Sequence, residues 1–308
     1  MTETRYGVIS DVHRNPGILP EIVEALRKEK IDGLFLNGDL GEDQRMIGYT
    51  IHHALSLGVQ TFVQPGSHET VADYIPVVNH FAERNSLLVD VLKTPKFELK
   101  DHHLVFLPGS DFRAGGQFSL DLHEPSLQTG LYETSPGSNL YVTNIADLDK
   151  LVTDPARTLV VCHVPRKFDN PGTCVDFAYF AEKADGSLMP GIVIEGQIRR
   201  LLGKQGISNP SEADIVGIAA QNGLTFKREN RGNSHLRNAY MRLGVNKSVT
   251  GHFHEASHKA NDLESRAVAE GFMTDNLFYN SGTADEGLAG LVVVDDTKIR
   301  YHNIKVTK

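Results

Sequence analysis

Gly33-Leu34-Phe35-Leu36-Asn37-Gly38-Asp39-Leu40 is an apolar run that stops at a glycine and a carboxylate. A short apolar run bounded by turn residues reads as a strand covered on both faces. Gly38 allows the sharp turn that leaves Asp39 at the strand tip. In α/β proteins such a tip is where chemistry sits, although an Asp there also serves as a helix N-cap. Working outward, other strand ends do the same. Tyr6 to Ser10 ends in Asp11-Val12-His13, and Val59 to Val63 delivers Gln64-Pro65-Gly66-Ser67-His68-Glu69. Further on, Thr158 to Val161 ends in Cys162-His163, and Ser248-Val249-Thr250 runs into Gly251-His252-Phe253-His254.

The connections agree with an α/β fold. Leu19, Ile22, Val23 and Leu26 share one face of a helix opening at Pro20, so strand, helix and strand form a right-handed crossover unit. A second helix runs over about 43–57 and ends at Gly58. Residues 97–99 and 103–107 read as a hairpin, 145–152 and 233–243 as helices, and 277–280, 288–294 and 299–306 as antiparallel strands. Two stretches interrupt the pattern. About 109–140 is rich in Gly, Ser, Pro and Thr, and about 166–231 holds helices at 192–202 and 211–221. The expectation is a single domain over 1–308 with surface or cap insertions at these two places.

A length of 308 residues with 40% hydrophobic content suffices for a sizeable core. The net charge of -8 argues against generic binding to a phosphate backbone. Lys227-Arg228-Glu229-Asn230-Arg231, with Arg237 and Arg242, is the clearest basic cluster and reads as a solvated helix face. Met1 to Arg5 are polar, and no apolar stretch approaches a membrane span, so a soluble, cytoplasmic protein without a membrane partner is expected. Two cysteines do not make a disulfide framework. Oligomeric state is not written in the chain.

Collected, the tip residues Asp11, His13, Asp39, Ser67, His68, His163, His252 and His254 read as a metal site. Their blocks, Asp11-Val12-His13, Gly38-Asp39, Gly66-Ser67-His68-Glu69, His163 and Gly251-His252-Phe253-His254, resemble those of the calcineurin-like metallophosphoesterase superfamily in type and order. The resemblance implies a four-layer αββα sandwich of two mixed sheets flanked by helices. It also implies a phosphoric ester hydrolase with a dinuclear centre: Asp11, His13 and His254 on one metal, His163 and His252 on the other, Asp39 bridging. His68 would stay off the metals as general acid, with Glu42 orienting it.

Carboxylate and imidazole together suit two divalent transition metals, Mn first and Fe or Zn next, better than Ca. Two such ions roughly 3.5–4 Å apart neutralise a phosphate ester and activate a bridging hydroxide. The implied substrate is a small or nucleotide-like phosphodiester. A nuclease of the same superfamily and a catalytically weak scaffold are the rival readings, with nucleic acid disfavoured. Two positions depart from the family pattern. Ser67 stands where an Asn normally supplies an amide oxygen to the second metal, so that site is expected to be weaker. Arg14 stands where relatives have Gly, and could clamp a substrate phosphate oxygen or project into solvent. Gly41-Glu42-Asp43 and Thr70-Val71 lack the arginines of protein phosphatases, which disfavours phosphoprotein.

Overall fold

The computed structural model describes residues 3–109, 125–126, 131–132 and 145–307. The chain opens with β1 (Thr4–Ile9), α1 (Leu19–Lys28), β2 (Gly33–Asn37), α2 (Gln44–Leu55), β3 (Gln60–Gln64), α3 (Val71–Ala82) and β4 (Leu88–Asp90). The hairpin β5 (Lys96–Glu98) and β6 (His103–Leu107) follows. Apart from Gly109 and a two-residue pairing of β7 (Pro125–Ser126) with β8 (Leu131–Tyr132), the excursion expected at about 109–140 lies outside the described residues. Then come α4 (Leu148–Leu151), β9 (Thr158–Cys162), β10 (Phe177–Lys183), β11 (Leu188–Pro190), α5 (Gly191–Lys204), α6 (Glu212–Gln221) and β12 (Leu224–Asn230). The chain continues with α7 (Ser234–Leu243), β13 (Lys247–Thr250), β14 (Ala260–Asn261), β15 (Leu277–Asn280), β16 (Leu288–Asp295) and β17 (Lys298–Lys305).

Two six-stranded mixed sheets result, ordered β17-β16-β1-β2-β3-β4 and β14-β15-β13-β9-β6-β5. The period of two along each strand assigns its layers. In the first sheet Tyr6, Val8, Phe35 and Phe62 point toward the second sheet, meeting Leu104, Phe106, Leu159 and Val161. Ile9, Leu34, Leu36 and Val63 point the other way, onto Leu19, Ile22 and Leu26 of α1 and Ile47 and Ile51 of α2. On the far face of the second sheet, Val105, Val160 and Phe278 pack on Leu148, Leu151, Leu236 and Tyr240 of α4 and α7. Helix, sheet, sheet, helix is the expected four-layer αββα sandwich.

Two local expectations change, and one strand is new. Residues 277–280 were expected to pair antiparallel with the strands after them, but β15 sits in the other sheet, parallel to β13, because a strand's own pattern does not say which neighbour it joins. The basic run 227–231 is strand and not helix: β12 pairs antiparallel with β10, and with β11 they form a separate three-stranded sheet that carries α5 and α6. β4 is three residues long and shows no usable periodicity in the sequence. Among the described residues no helix is long and apolar enough to cross a membrane.

Candidate metal centre

β1, β2 and β3 are parallel neighbours, as are β9 and β13 in the other sheet, so their C-terminal ends emerge at common edges. The turns after them are tight. Asp11, His13, Asp39 and His252 all hold left-handed φ, at 56°, 47°, 54° and 69°. Such conformations cost about 1–3 kcal/mol each in a non-glycine residue, and persist where the surroundings impose them. Here the surroundings are hydrogen bonds between tips: Asp11 N–H donates to Gly38 O (3.1 Å), Val12 N–H to Asp39 O (2.8 Å) and Gly251 N–H to His163 O (3.0 Å). Gly38 has φ +84°, and a Cβ there would lie 2.6 Å from His163 Nδ1. A Cβ on Gly66 would strike the Asp39 carboxylate.

Seven side chains converge. The donor atoms of Asp11, His13 and His254 lie within 4.8 Å of one another, as do those of Asp39, His163 and His252 and those of His13, Asp39 and His68. Asp11 Oδ1 is 3.3 Å from His254 Nε2 and 3.7 Å from His13 Nε2. Asp39 Oδ2 is 3.2 Å from His163 Nε2 and 3.7 Å from His13 Nε2. His163 Nδ1 lies 2.8 Å from Asn37 O, which as an acceptor fixes the proton on Nδ1 and turns the Nε2 lone pair inward. That Nε2 is buried and has no hydrogen-bond partner among the described residues. His13 Nε2 and His254 Nε2 lie 3.1 Å apart, a hydrogen bond in which one ring N–H donates to the other ring's lone pair. An orphaned imidazole nitrogen, two carboxylates only 1% and 2% exposed and this donor set fit divalent transition metals.

With the histidines alone for partners, the electrostatics are severe. Burial pushes the Asp11 carboxyl up, but the hydrogen bond from His13 and the charges of His163 and His254 hold it well below the usual range. Burial likewise opposes ionisation of Asp39, and His163 and His13 overcome it. Burial pulls the His163 imidazole down, yet Asp39 and Asp11 raise it to about 10. His252 goes the other way, driven down to about 3 by burial and by His163.

The remaining predicted residues form the rim. His68 is half exposed, with Nδ1 2.9 Å from Glu42 Oε1. The same Glu42 oxygen is 3.4 Å from His13 Nδ1 and 3.9 Å from the Nε of Arg14, whose side chain is 83% exposed. Ser67 turns its hydroxyl onto Asp39, 2.9 Å from Oδ2.

Two groups escaped the sequence reading. Glu69 is buried and accepts N–H groups from Gly66 (2.8 Å), Leu40 and Asp39, tying the second tip to the third; burial and the nearby Asp39 push its carboxyl up to about 7. Its place at the end of the Gly66–Glu69 block was the available signal. Asp285 accepts from Thr283 Oγ1, and Thr283 Oγ1 also lies 3.2 Å from Asp11 O. At the end of β15, Asn280 Nδ2 donates to Gly251 O and Phe253 O, bracing the turn that carries His252 and His254. On its other side that turn meets the three-stranded sheet, where Phe253 and Ala256 pack on Ala178 and Phe180 of β10.

No protein-family model matches the chain, and no curated protein matches it significantly. Solved structures do. The protein TT1561 of Thermus thermophilus is 10% identical with a TM-score of 0.55, covering 99% of this chain and 100% of its own. A second structure is also 10% identical over 99% of this chain and 100% of its own, with a TM-score of 0.58. A dimetal phosphatase from Danio rerio is 11% identical over 99% of each chain, with a TM-score of 0.43. At these identities the likeness is one of fold. The first two structures share the fold of this chain over their whole lengths.

Proposed function

We propose that this protein is a metal-dependent phosphoesterase acting on a small or nucleotide-like phosphodiester. The observation that carries the reading is the convergence of Asp11, Asp39 and four imidazoles on one buried volume, with His163 Nε2 left without a hydrogen-bond partner among the described residues. Asp11, His13 and His254 would hold one divalent cation and His163 and His252 the other, with Asp39 shared; manganese suits this donor set. Bound there, two cations supply charge neutralisation for the ester and a water of lowered pKa.

The chain's own residues do the rest. Glu42, 2.9 Å from His68 Nδ1, orients the imidazole, and the half-exposed ring can deliver a proton to a leaving alkoxide. Arg14 stands at the solvent edge, where its guanidinium can engage a phosphate oxygen. Against a nuclease, the basic residues of the 227–242 region are engaged elsewhere. Lys227 pairs with Glu182, Arg237 with Asp169 and Arg242 with Asp149, while Arg228 lies over the Tyr179 ring.

The test is metal content measured together with hydrolysis of a generic aryl phosphodiester and monoester. Two equivalents after Mn²⁺ loading are expected. His68→Ala should keep both and lose about 10²–10⁴-fold in rate. Fewer than one equivalent bound, or an unchanged rate in His68→Ala, would overturn the proposal.

A further inference from the structure

We infer that Ser67 is a positioning residue for Asp39 and not a metal ligand, so that the two metal sites fill unequally, the Asp11–His13–His254 site first. The inference rests on the dinuclear reading above and concerns how this chain departs from it.

Three donors of the turn after β3 are aimed at one carboxylate. Ser67 N–H donates to Asp39 Oδ1 at 2.5 Å and His68 N–H to the same oxygen at 2.9 Å. The Ser67 hydroxyl lies 2.9 Å from Oδ2 and 3.2 Å from Oδ1. Oδ1 is thus occupied by backbone donors, and Oδ2 is left to face His163 Nε2 at 3.2 Å and His13 Nε2 at 3.7 Å. A hydroxyl one bond beyond Cβ has little reach, and its backbone is pinned against the same carboxylate. The turn cannot retreat to re-aim it, because Gly66 is already so close that a Cβ there would lie 2.9 Å from His163 Nε2. The hydroxyl's role is to fix the direction of Oδ2, the oxygen that faces both His163 and His13.

The donor sets are then unequal. Asp11, His13, His254 and the shared Asp39 give two carboxylates and two imidazoles; His163, His252 and Asp39 give one carboxylate and two imidazoles. The site with the additional negative charge binds a dication more tightly, and the other keeps an open position.

The experiment is titration of the metal-free full chain with Mn²⁺, followed as free Mn²⁺, and with Co²⁺, followed by its visible absorption. Wild type should bind in two steps at least about tenfold apart in affinity. Because Asp39 is shared, losing one hydrogen bond in Ser67→Ala should weaken both steps alike, by about threefold, with the Co²⁺ spectrum of the second site unchanged in form. Ser67→Thr keeps the donor and should match wild type, which separates the hydroxyl's role from any folding defect. Ser67→Asn offers a longer-reaching oxygen and should tighten the second step alone while changing its Co²⁺ spectrum. Selective loss of the second step in Ser67→Ala, or equal affinities in wild type, would overturn the inference while leaving the phosphoesterase reading standing. No uptake of either metal by wild type would overturn both.

Discussion

The two sheets contribute different chemistry to the same volume. The first supplies both carboxylates, Asp11 and Asp39, together with His13 and the Ser67–His68 turn; the second supplies imidazoles alone, His163, His252 and His254. Neither edge is a site by itself. The first sheet alone would gather buried negative charge without enough cations, and the second would crowd imidazoles: His252 is depressed first by burial and then by His163. Each edge relieves the other only when the sheets are packed face to face. The cluster is therefore a readout of the inter-sheet core, where Phe106 stacks on Phe62 at 5.2 Å and meets Phe35 edge-on at 5.6 Å.

The sharpest way to break this division is Asp39→Asn, which keeps the side chain's shape and removes a charge that His13 and His163 both face. On the proposed function, hydrolysis should fall by about 10³-fold or more, since several kcal/mol of charge stabilisation would depend on the metals that Asp39 would hold. Mn²⁺ uptake should fall at both sites. Two equivalents retained at wild-type affinity would show that the sheets do not meet through Asp39.

Next in size is Phe106→Ala, in the core between the sheets. Emptying this buried position should cost about 3–5 kcal/mol in chemical unfolding. If the cluster depends on sheet packing, Mn²⁺ affinity should drop as well. A destabilised variant with unaltered metal affinity would mean that the tips hold their geometry by local bonds alone.

That distinction also marks what the sequence could and could not say. Within the first sheet, strand, turn and tip residue follow one another along the chain, so Asp11, Asp39 and His68 are legible as tips. The second sheet is assembled from distant segments. Its strand at residues 277–280 carries the same apolar pattern whether it pairs with β13 or with β16, and only the three-dimensional pairing selects the first. The run Lys227 to Arg231 hides its period of two because its sheet is partly exposed and carries charge on both faces. Ser67 was visible as a residue, but not the direction of a hydroxyl whose partner lies 28 positions away. Glu69 was visible as the last residue of its block, but not that Thr70 is the N-cap, its side chain accepting from Asp73 N–H, so that Glu69 turns inward.

Gly38→Ala tests the junction of the two edges at a single atom. The residue belongs to the first sheet's tip, yet its added methyl would meet His163 Nδ1 from the second, on a backbone at φ +84°. About 1–3 kcal/mol of stability should be lost. The His163–Asn37 hydrogen bond should loosen with it, because the ring has to move to admit the methyl. An Ala variant with full stability would show that the tips have slack and that their close approach is not required.

The smallest expected effect sharpens the comparison from its outer side. Arg14 follows directly on His13 but is 83% exposed, and its charge partner among the described residues is Glu42 at 3.9 Å. An exposed, solvent-screened contact is worth about 0.2–1 kcal/mol, so Arg14→Ala should raise KM for an aryl phosphodiester about two- to fivefold. Because the guanidinium touches no buried donor among the described residues, kcat, metal content and unfolding midpoint should stay where they are. The KM effect should also fade as salt is added. A fall in kcat with constant KM would place Arg14 against the transition state, and its role would then belong with His68 and not with the rim.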